Sequence, residues 1–423
     1  QRRRRYFGLR SQIFEVKQSI IMDRVEGDGM GTIGVISFFS GCGGLDLGLE
    51  GDFWIKSKSV ADTSWVGKKN GDFVKLKPTP FKTVFACDIK PSAKKAWEGY
   101  FQRDGVFHLE SIVDLVKKAR SGEFVFPGAD IVTGGFPCQD FSVAGKRKGF
   151  NSHKTHKNKT LFDAPTIESR GMLYYWLREA IDIIRPKIFI AENVKGLVSM
   201  GEVKEIIAND FKNSGGGYVV LEPRVLHAGD YGVPQSRERV IFIGVRKDLL
   251  GSDAVQKLLN NEIELYPKPT HDTKSSFVSV EEAIFDLCEP EFSLDPSHQK
   301  YSKAKYYGRH CQGQTEIKPN AMAPTIRSEH HGNIEFRRLS KENGGLIKEE
   351  YDLPQRRLSV RECARLQTFP DDYRFVTSEI AASEAYKLVG NAVPPLLGYH
   401  IAKQIESVWA KLFGVQSKTK RAA

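Results

Sequence analysis

The stretch TIGVISFFSGCGG, residues 32–44, decides how the chain is read. Its first eight residues are mostly β-branched or aromatic, the make-up of a short buried strand. SGCGG follows at once, a tight turn whose glycines let a ligand come close to the backbone. Working outward, TVFACDI (83–89) repeats the strand pattern and leads into a helix over 92–101. ADIVTGGF (129–136) is a third strand. GMLYYWLREAIDII (171–184) puts Leu173, Leu177, Ala180, Ile181 and Ile184 on one helical face, and Arg185-Pro186 stops it. KIFIAENV (187–194) and RVIFIGV (239–245) are further strands. This alternation predicts an α/β fold, a doubly wound and mostly parallel sheet with ligands at the carboxyl ends of its strands.

The chain has 423 residues, 40% of them hydrophobic, which is more than one typical domain needs. From 251 to 355 the periodic pattern lapses into short irregular runs rich in Pro, Lys, His and Tyr, read as a second, smaller and irregular domain. LSVRECARLQTFP (358–370) restarts order, with Ser359 and Glu362 as a capping box. PPLLGYHIAKQIESVWAKLF (394–413) is an amphipathic helix expected to return to the first domain. The expected division is a basic extension over 1–30, a first domain over 31–250 and 356–415, a second over 251–355, and a tail over 416–423. Two insertions stand out: a polar one over 51–80, and the basic KRKGFNSHKTHKNKT over 146–160.

No apolar run approaches the ~18 residues of a membrane span. The six cysteines are scattered, with no CxxC pair and no His/Cys cluster, which argues against a disulfide framework and a structural zinc site. A reducing, cytoplasmic setting fits best. Lys and Arg number 63 against 52 Asp and Glu, a formal charge of +11 that favours a polyanionic partner, nucleic acid first.

The chemistry gathers at the strand ends. The glycine turn is not G-x-G-x-x-G, because its sixth position is Asp46. A ligand without phosphates, such as S-adenosylmethionine, suits it better than a dinucleotide. Asp88 closes the next strand, placed to accept hydrogen bonds from a ribose diol, with Ile89 beside it to cover an adenine face. In GGFPCQDFS (134–142), Cys138 follows a strand end, Pro137 fixes the backbone, and the glycines leave room for a planar ligand. A cysteine there can act as a thiolate nucleophile. Glu192 closes the apolar run KIFIAE, so desolvation should raise its pKa and suit it to proton donation. Gln235, Arg237 and Arg239 recur at period two and, in a strand, point to one side.

In order along the chain, FFSGCGGLDLGLE, FACDI, GGFPCQDFS, AENVKGL, QSRERVIFIGVR, RRLSVRECARLQTFPDDY and GNAVPP resemble the successive blocks of the DNA (cytosine-5-)-methyltransferases. The resemblance covers about 32–250 and 356–413. It implies a Rossmann-like methyltransferase domain and an S-adenosylmethionine cofactor, released as S-adenosylhomocysteine, with no metal. It also implies a restriction-modification enzyme acting on a cytosine flipped out of double-stranded DNA. Cys138 would add to C6 of the base, Glu192 would serve N3, and Arg239 would contact O2 with Arg237 and Gln235 in support. Phe39, Ser40, Gly41, Cys42, Gly43, Gly44, Leu45, Asp88, Ile89, Glu110, Ser111, Pro137, Asn391 and Val393 would line the cofactor pocket. Two departures are visible: Asp88 stands where Glu is commoner, and Glu110-Ser111 where Asp-Ile is usual.

The 251–355 stretch would then be the target recognition domain. In MAPTIRSEHHG (322–332), Thr325 and Ile326 are expected near the DNA backbone. Arg309, Gln312, Gln314, Arg327 and His330 are candidate base readers. Gln139, Ser142, Lys146, Arg147, Lys148 and Arg170 complete the expected DNA contacts, the basic ones through phosphates. The protein is expected to act as a cytoplasmic monomer beside a cognate restriction endonuclease. A tRNA-methylating member of the same family and a catalytically inactive DNA-binding homologue are the alternatives; the joint presence of Cys138, Glu192 and both arginines weighs against the last.

Overall fold

Strand β1 (Ile33–Phe38) carries the logic of the whole sheet: Ile33 and Val35 enter one apolar core, Ile36 and Phe38 the other. A strand with both faces covered needs apolar residues at successive positions, which is why 33–38 reads as a continuous run. The computed structural model describes residues 31–137, 173–198, 203–273, 276–308, 313–328 and 334–414. The polar insertion that follows folds into its own antiparallel sheet of β2 (Trp54–Lys56), β3 (Val66–Asn70) and β4 (Phe73–Leu76), in the order β2-β4-β3. It is anchored by Phe53, Ile55, Val74 and Leu76, which enter the first core.

The main sheet continues with β5 (Phe81–Asp88), β6 (Phe107–Leu109), β7 (Ile131–Gly135), β8 (Ile188–Val194), β9 (Tyr218–Val220), β10 (Arg224–His227) and β11 (Glu238–Arg246). Its order is β10-β11-β8-β7-β1-β5-β6, with β9 also paired to β11. The pairs from β8 through β7, β1 and β5 to β6 are parallel, and β11 joins β8 antiparallel. One face is covered by α1 (Gly44–Glu50) and α2 (Pro91–Phe101), the other by α3 (Ile112–Arg120), α4 (Leu173–Ile184) and α5 (Val203–Lys212). Leu173, Leu177, Ala180 and Ile181 of α4 are buried as their spacing predicts, while Ile184 at its end is half-buried. The α/β, mainly parallel architecture is as expected from the sequence.

Beyond β11 come α6 (Ser252–Leu259), α7 (Val280–Ile284), α8 (Pro296–Gln299) and β12 (Phe336–Arg338), which pairs with β13 (Arg356–Arg357) of the returning chain. Then α9 (Val360–Leu366), capped by Ser359 and Glu362, leads to α10 (Ala382–Asn391) and α11 (Pro395–Phe413). Leu265, Tyr266, Val280, Ile317, Ala323, Ile326 and Ile334 share the core of Ile33 and Val35, and from Ile33 onward the described residues make one compact unit. The irregular stretch has little sheet of its own, so it buries its apolar residues against the rest of the chain. Glu289 ties it further. Burial alone would raise this carboxyl, but hydrogen bonds from Arg338 and Arg356 hold it at about 2.

Helix α11 packs on the first core, and its closest approach is to α1. A Cβ on Gly48 would stand 2.3 Å from the Pro395 oxygen and 2.7 Å from Gly398 Cα. Only glycine permits two helices that close. No helix among the described residues is long and apolar enough to cross a membrane.

Candidate active site at the strand ends

The turn after β1 is built from left-handed backbone: Phe39, Gly41 and Gly43 have φ of 53°, 55° and 75°. Ser40 N donates to Cys87 O of β5 (3.0 Å), and Gly43 N donates to Ser40 O (2.8 Å). The glycines do different work. A Cβ on Gly43 would stand 2.6 Å from the Trp97 ring, and one on Gly44 would stand 2.3 Å from Val393 O. At Gly41 a Cβ would meet nothing within 4 Å, so the backbone there faces open space. Asp88, at the end of β5, accepts from Gly41 N (3.1 Å) and Lys90 N (3.0 Å). Burial pushes its carboxyl up, against the Lys90 charge and these bonds. An open backbone face beside a strand-end acid fits the sugar edge of a nucleoside. Cys42, in the same turn, is buried with its Sγ 3.5 Å from Leu388 O, and burial pushes its thiol up.

Asp46 organises this turn from below, a role the sequence reading did not give it. It accepts from Ser37 Oγ (2.6 Å), Ser40 Oγ (2.5 Å) and Trp97 Nε1 (2.8 Å). Asp46→Ala should cost about 2–4 kcal/mol by stranding three donors. Burial raises the Asp46 carboxyl above the usual aspartate range. A folded pKa above the unfolded one means that folding favours the proton. Stability from this group is therefore lost as pH rises from the ordinary aspartate value through the raised one. The difference in Tm between wild type and Asp46→Asn, followed across that window, should shift in favour of the variant as pH rises.

The second half of the site lies one strand over. Gly135 of β7 is in register with Glu192 of β8, and a Cβ there would stand 3.0 Å from Glu192 Oε2. The glycine before Phe136-Pro137 thus leaves the space in which the carboxylate lies. Glu192 is buried, 8% exposed, and Arg239 Nε lies 2.7 Å from its Oε1. Burial pushes the carboxyl above the usual glutamate range, opposed by the charges of Arg239 and Arg237. Arg239 also donates from Nη1 to Glu238 O (2.8 Å). Asn193, buried beside Glu192, donates to Phe136 O (3.2 Å) and fixes the backbone two residues before Cys138. Its adjacency to Glu192 was the one signal that could have marked it.

β11 starts at Glu238, so of the three period-two residues only Arg239 lies in the strand. Arg237 is fully buried and donates to the main-chain oxygens of Ile326 (3.0 Å), Gly390 (3.0 Å) and Ala392 (2.8 Å). Gln235 accepts from Ile326 N (2.9 Å) and donates to Gln367 Oε1 (3.1 Å). Thr325 is half-buried and donates to Ser236 O (2.5 Å), while Ile326 is buried.

Other expected residues have structural partners. Ser111 caps α3 by accepting from Val113 N (3.2 Å), and Glu110 pairs with Lys118. Arg327 pairs with Glu335 (3.1 Å), and buried Gln314 accepts from Tyr307 N (2.9 Å). Asn391 is exposed, Val393 is buried, and Leu45, Ile89 and Pro137 are half-buried. Cys138, Gln139, Ser142, Lys146, Arg147, Lys148, Arg170, Arg309, Gln312 and His330, with 1–30 and 416–423, lie outside the described residues. Among the described residues no group of three or more His, Cys, Asp or Glu could hold a metal ion.

The chain matches the C-5 cytosine-specific DNA methylase family over residues 33–407. It is 34% identical over 391 residues to the Type II methyltransferase M.BspRI of Lysinibacillus sphaericus, covering 88% of this chain and 81% of that protein. To the Type II methyltransferase M.BsuRI of Bacillus subtilis it is 33% identical over 395 residues, covering 89% and 80%. Its fold is similar to that of the S. pombe Dnmt2 methyltransferase, with a TM-score of 0.52 at 16% identity over 89% of this chain and 99% of that one. A glycine turn facing open space, a desolvated glutamate paired with an arginine, and a match along most of its length lead to one conclusion: the chain belongs to the C-5 cytosine-specific DNA methylase family and is a DNA cytosine-5-methyltransferase.

Proposed function

We propose that the protein methylates C5 of a flipped-out cytosine in a specific double-stranded DNA sequence, as the modification enzyme of a restriction-modification system. The observation that carries the chemistry is buried Glu192, paired with Arg239 and in register with Gly135, three residues before Cys138. The naming of the relatives as Type II methyltransferases supports the biological setting.

Cytosine C5 is a poor nucleophile while the ring is aromatic, so the chain must first change the ring. The Cys138 thiolate forms a bond to C6, and the displaced electron pair moves through the ring to N3. Glu192, whose carboxyl burial pushes up, gives a proton to N3, and Arg239 holds O2 against the charge that develops there. The ring is then an enamine whose C5 carries electron density. S-adenosylmethionine, when bound, supplies the methyl group and departs as S-adenosylhomocysteine. Loss of the C5 proton to a base, return of the N3 proton to Glu192 and expulsion of the Cys138 thiolate restore the aromatic ring.

The 39–45 turn, Asp88 with Ile89, Glu110, Ser111, Pro137, Asn391 and Val393 would hold the cofactor. The open face at Gly41 and the Asp88 carboxylate fit its nucleoside. Thr325, Arg327 and the basic 146–148 run would meet DNA, and a cognate endonuclease would cut the same sequence. The decisive experiment is transfer of tritiated methyl from S-adenosylmethionine to duplex DNA and to tRNA in parallel. Label is expected in DNA, at C5 of cytosine; label confined to tRNA would sink the reading.

A further inference from the structure

Arg237 sits where the 325–327 segment meets the end of helix α10, and the reaction proposed above gives these two places to different ligands. Its Nη1 donates to Ile326 O (3.0 Å), in the 325–327 segment expected near DNA. Its Nη2 donates to Gly390 O (3.0 Å) and Ala392 O (2.8 Å), the carbonyls on either side of exposed Asn391. At Gly390 the two backbones are pressed together: a Cβ would stand 2.2 Å from Arg327 O and 2.5 Å from Ser328 N. A second bridge runs alongside. Gln235 accepts from Ile326 N (2.9 Å) and donates to Gln367 Oε1 (3.1 Å), and Gln367 donates to Val389 O (2.7 Å).

The three carbonyls that accept from Arg237 belong to the main chain, so side-chain rotation in either segment does not loosen these bonds. A shift of about 1 Å in one segment would break bonds that the same guanidinium makes to both. We propose that Arg237 is a positioning residue that couples the end of α10 to the 325–327 segment, so that cofactor bound at Asn391 tightens DNA at Thr325, and the reverse. This inference rests on the functional reading above. Ordering one segment fixes the guanidinium, which lowers the conformational cost of ordering the other. The effect must be equal in both directions. A planar fork reaches separated acceptors at once, which a single ammonium does not.

The test uses the full chain, S-adenosylhomocysteine, and a duplex carrying the methylated sequence found by bisulfite sequencing of host DNA. The Kd of each ligand is measured with and without the other. In the wild type each should tighten the other by about 5–20-fold, by the same factor both ways. In Arg237→Gln and Arg237→Lys that factor should fall toward one while each ligand alone still binds. Gly390→Ala, which pries the two segments apart and keeps the arginine, should lose it too, so a poorly folded Arg237→Gln does not end the test. An unchanged factor in Arg237→Lys and Gly390→Ala, or a wild type whose ligands bind without influencing each other, overturns the inference alone. A wild type that binds neither ligand overturns the functional reading and this inference with it.

Discussion

Cys138→Ala is expected to abolish methyl transfer, lowering kcat by at least about four orders of magnitude while duplex binding persists. The reason is that among the described residues no other thiol is placed to take over. Cys42, Cys87 and Cys363 are buried, and burial pushes each thiol up, away from the thiolate that must attack. Cys288 is exposed, but it lies in the loop before Glu289, which is clamped by Arg338 and Arg356. Cys288→Ser should therefore keep full turnover. A duplex carrying 5-fluorocytosine gives a second readout. Fluorine cannot leave C5 as a proton does, so the wild type should form a denaturation-resistant adduct and Cys138→Ala none. Turnover by the alanine variant would remove Cys138 from the mechanism.

Glu192→Gln is expected to slow single-turnover methylation about 10²–10⁴-fold with little change in DNA affinity. Glutamine can still donate a hydrogen bond to N3 but cannot hand over a proton. The pH dependence separates the two roles. Burial raises the Glu192 carboxyl above the usual glutamate range, so the protonated form persists to higher pH than in an exposed glutamate. A step that needs that proton is fully available below the raised pKa and lost as pH rises through it. The wild-type rate should fall over that window, and Glu192→Gln should be flat there. An identical alkaline limb in both proteins would assign the fall to another group. Gly135→Ala should give a milder version of the same defect, because its Cβ would crowd the Glu192 carboxylate.

The sequence and the structure agree where a residue's neighbours in the chain set its environment. The apolar runs that became β1, β5, β7, β8 and β11 are buried on both sides, and such strands are continuous in sequence. The Ser359–Glu362 box and the raised Glu192 carboxyl follow from positions a few residues apart. What escaped was set by distant partners. The sheet of β2, β3 and β4 reads as a polar insertion because β3 is almost wholly exposed, while Phe53 and Trp65 beside it meet Tyr399 of helix α11. Period two placed Gln235, Arg237 and Arg239 on one side, but nothing local could say that Arg237 would end among carbonyls from 326, 390 and 392. The 251–355 stretch bridges the rest of the chain through its backbone, Ala323 to Gln235, Tyr301 to Ser359 and β12 to β13, which its own residues do not announce.

The contact of Gly48 with Pro395 and Gly398 also has a bearing on how the protein is made. Helix α1, which follows the 39–43 turn, comes early among the described elements, and the helix that closes over it is the last of them. Without Pro395 and Gly398, α1 has no partner for the face that only glycine can present. A nascent or prematurely terminated chain would thus hold the opening motif without its support.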